Sequence, residues 1–184
     1  MTRYVPLHFF GERDEGEGQM NAWHDFFLAQ AGAAGVLTGL VFVGVSINLQ
    51  KIVSDRRSGL AGRAGEALIL LVGVLLASVL GLVPAQGAGM LGAEVLVVGL
   101  AAWGCVVAIQ LPRLREWGTM RADLRVSLVL RVVLGQVGTL AMVIAGVAVL
   151  WVGPGGLYWL VAGTLFSIIA ALADAWVLLV EINR

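Results

Sequence analysis

Residues 67–115 read ALILLVGVLLASVLGLVPAQGAGMLGAEVLVVGLAAWGCVVAIQLPRLR. Two long apolar runs, Ala67–Val83 and Ala88–Leu111, flank the short uncharged turn Pro84-Ala85-Gln86-Gly87, and Glu94 is the one charged residue inside either run. A helix rises about 1.5 Å per residue, so runs of this length approach or exceed the roughly 30 Å of hydrocarbon in a bilayer. They are too long and too continuous for the alternating strands of a membrane barrel. The stretch therefore reads as a helical hairpin in a membrane. Proline at 112 predicts the end of the second run, since proline and the residue before it disfavour helix.

Outward from this hairpin the pattern repeats. A further apolar run precedes it at Phe26–Ile47, and two more follow at Val126–Val152 and Leu157–Val180, the last two joined by Gly153-Pro154-Gly155-Gly156. The predicted fold class is all-α, an integral membrane bundle of five transmembrane helices, and the predicted organisation is a polar acidic tail over 1–25 followed by the transmembrane domain over 26–184. GERDEGEG in the tail suggests mobility, with a short interfacial piece around Tyr4–Phe10. Composition agrees. The 184 residues are 59% hydrophobic and 13% charged, whereas a soluble domain is about 25% charged. The first apolar run lies behind an acidic segment with no basic leader, so it reads as a retained span and not a cleaved signal.

The charges are partitioned. Lys51, Arg56, Arg57 and Arg63 follow the first span; Arg113, Arg115, Arg121 and Arg125 follow the third; Arg184 ends the chain; both hairpin turns are uncharged. The positive-inside rule then predicts an outside N-terminus and a cytoplasmic C-terminus. Five spans satisfy this parity, whereas four would put one basic gap on the wrong side. Trp23, Phe26 and Phe27, with Trp151, Tyr158 and Trp159, fall at the outer end, as an interfacial aromatic belt requires.

Ionisable groups within spans are the first functional candidates. Glu94, about six residues into its span, would be desolvated without a partner, which makes it a proton-responsive candidate; His24 at the lip of the first span is the nearest cation by topology and a candidate pH sensor. The alternative is a water-exposed glutamate, or one bonded to a neighbouring helix. Arg131 and Asp174 fall at similar depth in the fourth and fifth spans and suggest an ion pair, as a gate or as a structural tie. Thr164, Ser167, Ala171, Asp174 and Glu181 share one helix face, which reads either as a polar pathway or as a packing seam. Glu66 reads as an interfacial residue paired with Arg63, and Gly73, Ala77 and Gly81 as close packing on the same face. Gly35 and Gly39 form a GxxxG pattern for helix packing or subunit association. Gln30, Asn48, Gln110 and Gln136 can bond across helices.

Several chemistries find no residues. HExxH and P-loop motifs are missing from the sequence. Both histidines, His8 and His24, precede the first span, so a serine–histidine dyad in the membrane has no base. Glu94 and Asp174 lie near opposite faces and cannot share a proton. Two histidines and the single Cys105 make a poor metal set. The expectation is therefore no enzyme, no catalytic residue, no metal and no cofactor. With zero formal net charge, no nucleic-acid partner is expected either.

Three stretches, AWHDFFLAQAG (22–32), GLVFVGVSINL (39–49) and ADAWVLLVEINR (173–184), together resemble a group of small multi-pass bacterial membrane proteins known only as uncharacterised. The resemblance implies no activity or ligand. The expected location is a bacterial cytoplasmic membrane, and the expected partners are the lipid bilayer with either a homo-oligomer or a membrane-protein partner. Two functions stay open: a channel or transporter for protons or small cations using Glu94 and Asp174, or a non-transporting accessory protein or scaffold that modulates a partner complex.

Overall fold

The computed structural model describes residues 8–54, 59–116, 118 and 122–182, and side chains over 23–52, 59–116, 118 and 125–180. The expectations placed on Arg56, Arg57, Arg121, Arg184, the side chain of Glu181 and the first residues of Tyr4–Phe10 lie outside those described. The helices are α1 (His8–Ile47), α2 (Leu49–Ser54), α3 (Leu60–Gly81), α4 (Ala88–Arg115), α5 (Ala122–Val152) and α6 (Tyr158–Ile182), with a single 3₁₀ turn at Pro154–Leu157 before the last. Five of them are long and apolar enough to cross a membrane, over Trp23–Ile47, Leu60–Gly81, Ala88–Arg115, Arg125–Val152 and Pro154–Val180. No strand occurs among the described residues.

Three boundaries differ from expectation. Helix α1 starts at His8, so the acidic segment from there on is helical. The apolar run after it already supplies a nucleus, and extending a formed helix costs far less than starting one. Helix α3 starts at Leu60, seven residues before Ala67, because Arg63 and Glu66 find charged partners inside the bundle. Helix α4 continues through Pro112 to Arg115. A proline in the final turn removes one backbone bond, to the carbonyl of Ala108, and too little helix follows for the break to matter.

Helices α3, α4, α5 and α6 close a four-helix ring: α3 packs on α4, α4 on α5, α5 on α6 and α6 on α3, while α1 leans on α3 from outside. The α1 seam runs through Phe27, Gln30 and Ala34, which are buried, and on to Leu37, Val41 and Val45. Steps of three and four keep these on one stripe. Gly39 falls off that stripe. A Cβ at Gly35 would meet Leu75 Cδ1 at 3.9 Å, whereas one at Gly39 would meet nothing within 4 Å. The GxxxG pattern thus does not pack as a unit within the chain; only Gly35 touches a neighbour.

The end that carries the hairpin turns is a closed apolar block. Phe27, Ala77, Leu91, Val95, Met142, Ala145, Val149, Leu157 and Leu160 form one buried cluster. Trp23 meets Tyr158 edge-on at 5.1 Å between ring centroids and Phe26 at 5.4 Å. Small residues set the helix spacing. A Cβ at Gly146 would lie 2.6 Å from Leu96 Cα, and one at Gly81 would lie 2.7 Å from the Phe27 ring, so a methyl group at either needs a helix or a ring to move. The 84–87 turn reverses the chain through Ala85 at φ 57°, a left-handed conformation that costs an alanine about 1–2 kcal/mol.

Candidate functional site

At the opposite, basic end the ring is held by charges. Glu66 follows Leu60 by six residues, Arg131 follows Arg125 by six, Asp174 precedes Val180 by six and Gln110 precedes Arg115 by five. Six residues of helix rise about 9 Å, so all four helices of the ring place a polar group in one layer. Glu66 is fully buried, with Gln110 and Asp174 each 2% exposed.

Hydrogen bonds and ion pairs together link the groups of this layer. Arg63 Nη1 donates to Asp174 Oδ1 at 3.0 Å and Nη2 donates to Ser127 Oγ at 3.2 Å. Arg131 Nε lies 3.4 Å from Asp174 Oδ2, and Arg131 Nη2 pairs with Glu66 Oε2. Gln110 Nε2 donates to Glu66 Oε1 at 2.7 Å. Gln136 Nε2 donates to Gln110 Oε1 at 2.9 Å, and Trp103 Nε1 to Gln136 Oε1 at 2.8 Å. The chain runs from the Trp103 indole on α4 to Gln136 on α5, back to Gln110 on α4, then through Glu66 on α3, Arg131 on α5, Asp174 on α6 and Arg63 on α3 to Ser127 on α5. Two guanidinium groups face two carboxylates, so the layer is neutral in its fully ionised form. Pairing lowers the cost of burying charge, and each of the four has an opposite charge beside it, Arg131 through ion pairs to Glu66 and Asp174.

One glycine makes the layer possible. A Cβ at Gly135 would sit 2.8 Å from Glu66 Oε1 and 3.0 Å from Gln110 Nε2. Glycine at 135 gives the carboxylate and amide their space against α5.

The sequence candidates are distributed as follows. Arg131 and Asp174 meet, as their depths suggested. Glu66 does not: expected at the interface beside Arg63, it is buried and pairs with Arg131, while Arg63 turns to Asp174. Thr164, Ser167, Ala171 and Asp174 do share one face of α6, all buried, and that face turns into the bundle. Gln30 Nε2 donates to Thr164 Oγ1 at 2.8 Å. Ser167 lies against Gly138, where a Cβ would come within 2.6 Å of its Oγ. Ala171 belongs to the apolar cluster of Ala67, Leu70, Leu71 and Val106. From Thr164 to Ala171 the face is buried against its neighbours, and Asp174 at its basic end carries the charge. Glu94 lies at the hairpin end and takes its bond from Gln86 Nε2 in the 84–87 turn. His24 is exposed on α1, and the structure does not bring Glu94 to Asp174.

Beside the layer, α5 and α6 part around a cavity of about 390 Å³ lined by Arg63, Ser127, Arg131, Asp174 and apolar residues including Leu130 and Val177. Among the described residues no three histidine, cysteine or acidic side chains group as metal ligands. Family models, curated proteins and solved structures offer no match to this chain.

Proposed function

We propose that this is a non-transporting accessory protein of a bacterial cytoplasmic membrane, a rigid bundle that supports a membrane partner, with its basic gaps cytoplasmic. One observation carries the reading. The charged side chains inside the ring are committed to one another in a single layer, and the tightly packed cluster from Phe27 to Leu160 lies between that layer and the hairpin end. A pathway residue must exchange its partner for a passing ion, and each of these already holds an opposite charge. Helix α1 supports the same view. It packs mainly on α3, and Val36, Leu40 and Val43 are more than half exposed among the described residues, with open space at Gly39. Small residues at such a face admit close approach of another helix.

The second reading, a proton or small-cation transporter, is favoured by the cavity lined by Arg131 and Asp174. The two are separated by flux of protons and common ions in proteoliposomes of the full chain at two external pH values. The accessory reading expects flux no greater than in empty liposomes. Flux that disappears in an Asp174→Asn variant with its fold intact would replace it with the transporter.

A further inference from the structure

The cavity beside the ionic layer has the build of a lipid site, and this inference stands apart from the accessory reading because it concerns neither flux nor a protein partner. The volume of about 390 Å³ falls in the range of small-molecule sites, about 300–1,000 Å³. Its position matters more. The cavity opens between α5 and α6 toward the lipid, where Val126 and Leu130 are 63% and 59% exposed.

The polar lining is graded with depth. Arg63 lies three residues inside the Leu60 end of its span and Ser127 two residues inside the Arg125 end. These offsets place them about 3–5 Å in, at the level of lipid headgroups. Arg63 is the more open arginine, with 19% of its side chain exposed. It spends one bond on Asp174 and one on Ser127, out of the five donors a guanidinium carries. Ser127 accepts from Arg63, which leaves its own hydrogen to donate. Deeper, Arg131 is only 8% exposed, and its Nε and Nη2 have carboxylates in ion-pair range but no aligned hydrogen bond. Two arginines face the cavity against one carboxylate, Asp174, while Glu66 does not line it. Glu66, behind the wall, pairs with Arg131, so the four charges cancel and the anion-binding capacity at the mouth is that of the N–H donors Arg63 has not spent; beyond the polar groups the walls are Leu130, Leu134, Ala170 and Val177.

We propose that this cavity binds an anionic phospholipid, its phosphate on Arg63 and Ser127 and an acyl chain along Leu130 and Val177. A basic pocket between membrane helices is a recognised way to hold such headgroups, and a guanidinium recognises phosphate through paired N–H donors. The test is native mass spectrometry of the full chain with phosphatidylglycerol or phosphatidylcholine of identical acyl chains. The protein should retain phosphatidylglycerol about tenfold better, equivalent to about 1.4 kcal/mol. Arg63→Gln should bring the two lipids level. Because that change also breaks an ion pair, Ala173→Phe provides an independent arm: it fills the mouth, keeps every charge and should lower phosphatidylglycerol retention several-fold. Equal retention of both lipids by the unaltered protein would overturn the proposal. So would an unchanged preference in Ala173→Phe, which would move the lipid to the basic gaps.

Discussion

The two ends of the bundle solve the same packing problem by opposite means. At the hairpin end the helices close on shape: glycines at 81 and 146 bring backbones and rings together, and Leu91, Met142 and Leu160 belong to one buried apolar cluster. At the basic end they close on charge, with Arg63, Glu66, Arg131 and Asp174 tied across three helices and Gln110 adding the fourth. In a bilayer, apolar side chains gain little by leaving lipid for the protein interior, so association rests on close packing and on polar bonds between helices. Shape complementarity tolerates no added volume. A charge layer tolerates no lost partner. The contrast assigns a different kind of sensitivity to each end.

The largest effect is expected from Arg131→Gln at the charged end. It leaves Glu66 and Asp174 buried beside Arg63 alone, and removal of one member of a buried ionic group costs about 3–5 kcal/mol. Stability measured in bicelles by a reversible unfolding method should fall by that amount, and a loss under about 1 kcal/mol would mean that the layer is wet and replaceable. A smaller effect is expected from Gly146→Ala at the apolar end, where the added methyl would press on Leu96. Overpacking of this kind costs about 1–3 kcal/mol. The same assay checks it, and the comparison sharpens if the double variant with Arg131→Gln is additive, as distant sites should be.

Much of the fold was legible because the bilayer imposes a coarse rule. Runs such as 126–152, uncharged hairpin turns and basic gaps report span number directly, and the five spans appear. The ends of α3 and α4 were less legible. A charge in a helix reads as a boundary until its partner is known, and the partner of Glu66 lies on α5. Depth was the available signal: Glu66, Gln110, Arg131 and Asp174 all stand five or six residues from the basic end of their spans. The expected starts and ends conceal it: an α3 that begins at Ala67 leaves Glu66 outside, and an α4 that ends at Leu111 leaves Gln110 at the edge. Gly135 was not legible either, since nothing in the sequence says which glycine faces a carboxylate. Nor was the fate of the Gly35–Gly39 pattern, which depends on how α1 is rotated against α3.

The most direct measurement is a double-mutant cycle on Arg131 and Glu66, replacing each by methionine singly and then together. The pair of changes leaves Arg63 facing Asp174, a balanced remainder. A layer held by mutual charge predicts that the double variant loses less stability than the two single losses summed, with a coupling of about 1–3 kcal/mol. Losses that simply add, to within about 0.5 kcal/mol, would contradict it and show that packing, and not charge, holds the basic end.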